Sequence, residues 1–371
     1  MVNFTELGIK PEFIKALDEL NIKIPTEIQE KTIPFLLAEN ADFIGQAQTG
    51  TGKTAAYGLP LLQKINTKNK KIQALILAPT RELGIQIKNQ LFKFTKYSDK
   101  IFVEAVYGGA PIEKQIVALK RETHIIVATP GRLIDLLNKN VLDLKNVNTI
   151  ILDEADEMLS MGFKNDINTI LDFTTGQRVT WLFSATMPND IKLLIKNYLA
   201  EDSKYVKIDK DFVINKNIEH QYLICHEDEK FHVLYSFLGS QGKNRGVVFC
   251  KTKNAAKQLE IQLTTQKIKA VAIHGDLLQK ERDKVMRAFK NESIQFLIAT
   301  DIAARGMDFK GISFVVHYQL PENLDYFTHR SGRTARAGQK GISLIFIQRE
   351  ELNQIKYYES NLKIKITKLR Y

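Results

Sequence analysis

The chain has 371 residues, 44% of them apolar and 26% charged, with a formal net charge of +11. Such a length is too great for one core and suits two domains, and the composition excludes disordered and collagen-like chains. No apolar run reaches bilayer length and the amino terminus lacks a basic, apolar leader, so a cytoplasmic protein with a polyanionic partner is expected.

Near the amino end, Pro25-Thr26-Glu27-Ile28-Gln29 reads on its own as a helix-entry turn with Gln29 on its surface. The strand-like run Asp42-Phe43-Ile44 then leads into Ala47-Gln48-Thr49-Gly50-Thr51-Gly52-Lys53-Thr54, which opens an apolar helix at Lys53. That order of strand, small-residue loop and helix builds a phosphate cradle. Backbone N–H groups close on phosphate oxygens, Lys53 supplies a point charge and Thr54 offers a hydroxyl to Mg2+. Ala47 stands where the strict pattern has Gly, while Gly50 and Gly52 keep the close approach.

Further apolar runs of strand length follow, with helix-like segments between them: Gln73 to Leu77, Ile101 to Val106, His124 to Ala128, Thr149 to Leu152 and Val179 to Phe183. This alternation predicts an α/β fold around a wound parallel sheet. Asp153 ends the fourth run and opens Asp153-Glu154-Ala155-Asp156. A carboxylate at the tip of a buried strand can face the metal, and Glu154 can orient or deprotonate an attacking water. The two motifs together describe nucleoside triphosphate hydrolysis.

Tyr205 to Ile208 precedes a polar, non-periodic stretch, Asp209 to Asn217, which reads as a linker between domain 1–208 and domain 218–371. The second set of runs comprises Gln221 to Cys225, Gly246 to Phe249, Ala270 to Ile273, Gln295 to Ala299, Phe314 to His317 and Ile342 to Ile347. No second phosphate loop follows residue 210, so one nucleotide site is predicted. Cys225 and Cys250 have no CxxC spacing and read as reduced, buried thiols. In His329-Arg330-Ser331-Gly332-Arg333-Thr334-Ala335-Arg336, Arg333 and Arg336 lie at helical i,i+3 spacing and suit an anionic partner as arginine fingers. Only a short Lys-rich stretch is expected after Ile347.

These residues spell a family in order. The chain resembles the DEAD-box ATP-dependent RNA helicases of superfamily 2, in their compact bacterial form, from Phe4 to about Ile347. Besides the two motifs above, the resemblance rests on Pro79-Thr80-Arg81-Glu82-Leu83, Gly108-Gly109, Thr129-Pro130-Gly131-Arg132 and Ser184-Ala185-Thr186. The second half adds Val248 to Thr252, His274-Gly275-Asp276, Gln279 with Arg282, and Ala299 to Asp308.

The resemblance implies two tandem RecA-like domains that bind RNA and ATP across their cleft, close, and locally separate short duplexes as ATP is hydrolysed. It implies that Gln29 reads adenine and Phe4 stacks on it, that Asp308 lies near the ribose, and that His329 lies beside Glu154 and the lytic water. RNA contacts are implied at Pro79, Thr80, Arg81, Gly109, Thr129 and Arg132 in the first domain. Thr252, Gln279, Arg282, Thr300 and Arg305 are their counterparts in the second. Ser184 and Thr186 would couple nucleotide state to strand separation. Contacts of this kind read a nucleic-acid backbone rather than a base sequence. ATP and Mg2+ are the implied cofactors, a monomeric core is expected, and ribosomal or RNA-decay proteins are the implied protein partners.

The chain departs from the family at several places. Asn21 and Ile22 replace a usual Gly and aromatic residue, Ser331 and Ala335 a usual Ile and Gly, and His317 and Gln319 a usual Asn and Asp. Loss of the acidic side chain at Gln319 is expected to weaken closure. Two other readings share most of these motifs: a DNA helicase or translocase of the same superfamily, and a nucleotide-gated RNA clamp that binds without displacing strands.

Overall fold

Aliphatic and β-branched runs too short for helices form the strands, and the computed structural model places them in two parallel sheets. It describes residues 2–48, 50–174, 176–208, 216–304, 307, 311–321, 324–335 and 339–369. The chain divides into two compact units, Met1–Asp209 and Lys210–Tyr371.

The first unit runs α1 (Pro11–Glu19), α2 (Glu27–Ala38), β1 (Phe43–Gln46), α3 (Lys53–Lys64), β2 (Ala74–Leu77), α4 (Arg81–Phe94), β3 (Val103–Val106), α5 (Ile112–Leu119) and β4 (Ile125–Ala128). It continues with α6 (Pro130–Asn138), β5 (Thr149–Leu152), α7 (Ala155–Ser160), α8 (Lys164–Phe173), β6 (Val179–Ser184), α9 (Asn189–Tyr198) and β7 (Lys204–Lys207). Its sheet order is β3-β4-β2-β5-β6-β1-β7. Residues of β2, β4, β5 and β6 are buried on both faces, which is why they read as unbroken apolar runs. Alternate residues serve opposite cores. Ile76, Val127, Ile151 and Trp181 pack with α2, α3 and α4, whereas Leu75, Ile126, Ile150 and Leu182 pack with α6, α8 and α9. Pairing sets Gln46 beside Ser184 and Leu77 beside Leu152, so the loops after β1, β2, β5 and β6 leave one edge of the sheet together.

The second unit comprises β8 (Ile218–Ile224), α10 (Lys230–Ser240), β9 (Gly246–Cys250), α11 (Lys253–Thr265), β10 (Ala270–Ile273), α12 (Gln279–Lys290), β11 (Phe296–Thr300) and α13 (Asp301–Ala304). β12 (Phe314–His317), α14 (Leu324–Ser331), β13 (Gly341–Ile347), α15 (Leu352–Leu362) and β14 (Ile366–Lys368) follow. Its order, β10-β11-β9-β12-β13-β8-β14, repeats that of the first sheet position by position.

The carboxyl-terminal stretch, short and Lys-rich in sequence, forms α15 and β14 of the second unit. Tyr358 of α15 is buried against Phe327 and donates its hydroxyl to Pro321 O at 2.8 Å, while β14 adds to the sheet edge with Ile366 opposite His220. The buried Ile366 beside exposed Thr367 and Lys368 explains the order, since an edge strand needs only one apolar face. β8 also begins three residues earlier than Gln221, because its full length pairs with β13. Of the expected linker 209–217, residues 209–215 lie outside the described residues, and Asn217 O already accepts from Gly341 N at 2.9 Å. Cys225 and Cys250 are free and buried, and burial pushes the Cys250 thiol up to about 12. Among the described residues no helix is long and apolar enough to cross a membrane.

Candidate functional site

The small-residue loop leaves β1 with Ala47 N still bonded to Ser184 O at 3.0 Å. Thr51 Oγ1 donates to Gln48 O at 2.7 Å, closing the turn. Gly50 and Gly52 have φ of +81° and +93°, in the left-handed region. At Gly52 a side chain is excluded twice over, since a Cβ would meet Gln29 Nε2 at 2.4 Å. Lys53 begins α3 with only 6% of its surface exposed, and its Nζ has no hydrogen-bond partner. A buried, unpartnered ammonium is costly unless an anion neutralises it, so this cradle fits a phosphate chain. Thr54 follows in the first turn of α3, and Thr49 lies outside the described residues.

Gln29 is buried rather than on the surface, and its amide is partly used by the chain itself. Oε1 accepts from Thr26 N at 2.9 Å and Nε2 donates to Gly52 O at 3.1 Å, while Thr26 Oγ1 donates to Thr51 O at 2.8 Å. The start of α2 is thereby tied to the phosphate loop. Each amide heteroatom retains one further hydrogen-bonding valence. Phe4, the residue expected to stack on adenine, lies in the core of the first unit. It is 3% exposed and packs in the core that includes Leu7 and Phe13, because burying an aromatic ring outweighs holding it out to water.

Asp153 continues the ladder from β5, its N bonded to Leu77 O at 3.0 Å, and is buried. Its Oδ2 accepts the Tyr57 hydroxyl at 2.8 Å and its Oδ1 accepts Glu154 N at 3.0 Å. Burial pushes this carboxyl above the usual range, opposed by the Lys53 ammonium and the Tyr57 hydroxyl. Glu154 caps α7 at φ 51°, ψ 50°, a conformation that costs a non-glycine residue on the order of 1 kcal/mol and that clusters at functional sites. Asp156 Oδ2 accepts from Thr186 N at 2.9 Å and Thr186 Oγ1 at 2.8 Å, and Ser184 Oγ donates to Thr186 O at 2.7 Å. The acidic motif and the Ser184-Ala185-Thr186 turn are one hydrogen-bonded unit.

Pro79, Thr80, Arg81, Gly109, Thr129 and Arg132 gather at the carboxyl ends of the adjacent strands β2, β3 and β4. Thr80 caps α4 by accepting from Leu83 N at 3.2 Å, and the Arg81 guanidinium stands 4.8 Å from the Tyr107 ring centre. Thr129 Oγ1 accepts from Gly108 N at 3.4 Å and Arg132 Nη1 donates to Ala110 O at 3.0 Å, which holds the Gly108-Gly109 turn. In the second unit Thr252 caps α11, Gln279 opens α12 and Thr300 ends β11. Arg282 Nη2 donates to Ala303 O at 3.3 Å, and its buried Nε has no partner. Arg333 Nη1 donates to Met307 O at 3.0 Å, and His329 lies in α14. Arg305, Asp308 and Arg336 lie outside the described residues.

Family models agree in position with these two clusters. A DEAD/DEAH box helicase model matches residues 26–194 and a helicase conserved C-terminal domain model matches residues 229–338. A protein of Geobacillus kaustophilus named DEAD-box ATP-dependent RNA helicase CshA is 43% identical over 370 residues, covering all of this chain and 79% of the relative. The ATP-dependent RNA helicase CshA of Listeria monocytogenes is also 43% identical, over all of this chain and 71% of its own length. This chain belongs to the DEAD-box helicase family. Among solved structures, Dbp5 of S. cerevisiae bound to RNA and ADP BeF3 is similar with a TM-score of 0.89 at 30% identity, covering 99% of this chain and 95% of that one. A DEAD box protein of Methanococcus jannaschii gives 0.58 at 42% identity, over 100% and 99%. Both sheets are RecA-like.

The family departures have local structural reasons. Asn21 adopts φ 58°, where a Gly would be unstrained and Asn is the next best tolerated, and Ile22 packs on the core. His317 and Ser331 meet each other. His317 Nε2 lies 3.0 Å from Ser343 Oγ, and Ser331 Oγ lies 2.9 Å from Ser343 Oγ and 3.4 Å from the imidazole. The replacements for an Asn and an Ile thus form one buried polar cluster. Gln319 Oε1 accepts from Lys251 N at 2.7 Å and its backbone O accepts from Arg330 Nη1 at 3.1 Å, so it is anchored without an acidic group. Arg330, to which the sequence assigned no role, is buried and makes a bidentate pair with Asp301 at 2.6 Å and 2.6 Å. Such a pair fixes where the arginine motif starts.

Proposed function

We propose that the chain is an ATP-dependent RNA helicase whose ATP hydrolysis is stimulated by RNA and drives local separation of short duplexes. The carrying observation is the buried, unpartnered Lys53 ammonium in a glycine loop beside Asp153 and the left-handed Glu154. Residues Ala47 to Lys53 bind the triphosphate through backbone N–H groups and charge, and Gln29 reads the adenine through its remaining valences. Thr54 and Asp153 are the side chains that hold Mg2+, which neutralises developing phosphate charge. Mg2+ suits such a sparse protein donor set because phosphates and waters complete its shell. Glu154 orients the attacking water, with His329 beside it, and Arg333 and Arg336 stabilise charge on the transferring phosphoryl group. Asp308 serves the ribose. These last roles make both units necessary for turnover.

RNA binds through its backbone at the loop and helix-start residues of both units and at Arg305. The hydrogen bonds joining Asp156 to Ser184 and Thr186 support a coupling role, since a change at the acidic motif must move that turn. Breaking a few pairs requires roughly 1.4 kcal/mol for each stacked step, within reach of clamp binding. The protein acts in the cytoplasm as a monomeric core, with ribosomal or RNA-decay proteins directing it. The test is ATP hydrolysis by the purified chain alone, with single-stranded RNA and with matched DNA. Stimulation by RNA over DNA is expected. Equal stimulation by DNA would move the assignment to a general helicase or translocase.

A further inference from the structure

The second unit has a cavity of about 710 Å³ at the edge of its sheet opposite the candidate RNA residues. Its walls come from the amino-terminal ends of strands. Ile218 starts β8, Gly341 starts β13, and Ser313 and Lys365 lie just before β12 and β14. Thr252 and Thr300, by contrast, lie at the carboxyl ends of β9 and β11. A five-residue strand separates such edges by roughly 17 Å.

Three cations, Lys216, Lys340 and Lys365, line this cavity, and among the described residues none of them has an ion pair or side-chain hydrogen bond. Glu219 is the acid in the lining, and it is engaged by Gln221 Nε2 at 2.7 Å. His220 lines the same cavity at 4% exposure, with both ring nitrogens lacking a hydrogen-bond partner. Both ring nitrogens are enclosed and the ring stands 5.5 Å from that of Phe327, and burial lowers the imidazole to about 4, so at neutral pH it adds an uncharged wall. Asn217, Asn244 and Ser313 add neutral polar groups. Concave volume and unpaired positive charge are what a compact anion needs. Among the described residues no Phe, Tyr or Trp lines the cavity for base stacking, which favours recognition of phosphates over recognition of a nucleobase.

We propose that this cavity is a second anion site, which takes a small polyphosphate through Lys216, Lys340 and Lys365. The site is separate from the phosphate loop and from the RNA path, and it lies where the chain enters the second unit. The polyphosphate is either free or the tail of a nucleotide.

The test is calorimetric titration of the full chain with sodium tripolyphosphate after the phosphate loop has been filled with ADP and Mg2+. One binding event is expected. It should weaken by at least roughly tenfold in the triple variant Lys216→Gln, Lys340→Gln, Lys365→Gln. These side chains are not core residues, and the single reversal Lys340→Glu gives the same readout if the triple variant is poorly folded. Imidazole NMR signals of His220 should shift during the titration. ATP in place of tripolyphosphate separates the two sources: a Lys-dependent second equivalent assigns the nucleotide tail, and a single Lys-independent equivalent assigns the free anion. Absence of the tripolyphosphate event, or unchanged affinity in both variants, would overturn the site. Displacement by single-stranded RNA at equal phosphate concentration would overturn the small-ligand assignment, because the cavity would then be RNA surface.

Discussion

Tyr57→Phe tests whether the metal-facing carboxylate is held in place before any ligand arrives. The change removes one oxygen atom from a fully buried ring that stands 5.1 Å from the Phe183 ring, so packing is preserved. What is lost is the 2.8 Å bond to Asp153 Oδ2, which leaves Glu154 N as the donor to that side chain. Hydrogen bonds to charged groups contribute about 1.5–3 kcal/mol. For a unit of this size that corresponds to a melting temperature lower by roughly 3–12 °C. Burial already pushes Asp153 upward and the Tyr57 hydroxyl opposes it, so the variant's carboxyl protonates more readily. The acid limb of the ATP hydrolysis profile should move to higher pH, and half-maximal rate should need more Mg2+. Thermal unfolding together with hydrolysis measured against pH and Mg2+ provides the assay. A variant with wild-type melting temperature and wild-type Mg2+ dependence would refute the positioning role.

Glu154→Gln should retain ATP and RNA binding while turnover falls by roughly 10²–10⁴-fold, as expected for loss of a general base; single-turnover hydrolysis alongside nucleotide binding checks this. Ala335 sits at φ 55°, so Ala335→Gly should stabilise the second unit by about 1 kcal/mol, read as a higher denaturant midpoint. His220 and His317 are buried neutral, with folded values below the unfolded 6.5, so the unfolded chain binds more protons as pH falls. Stability is therefore complete above about pH 6.5 and declines toward pH 4, by roughly 3 kcal/mol for His220 alone. The denaturant midpoint should fall over that range and fall less in His220→Gln.

The strands were legible because buried parallel strands need apolar residues on both faces, as Thr149-Ile150-Ile151-Leu152 has. The phosphate loop was legible because Gly52 has no substitute beside Gln29. Bonds between distant residues left no local trace. Tyr57 reads as one more apolar residue of α3, and Arg330 and Asp301 are 29 positions apart. The departures at His317 and Ser331 look independent in sequence and become a pair only through the fold. β14 escaped notice because one buried Ile between lysines is a weak period-two signal, and its partner β8 lies well over a hundred residues away.

The identical strand order of the two sheets has a consequence for stoichiometry. The loop after β8 occupies the place that the phosphate loop holds after β1, yet it reads Cys225-His226-Glu227-Asp228-Glu229, with three carboxylates and no glycine. Those charges repel a triphosphate where the first unit cradles one. One half of a duplicated wiring consumes fuel and the other half has been freed for different work. With one nucleotide site expected per chain, advance along a long duplex by two alternating motors within one molecule is not expected.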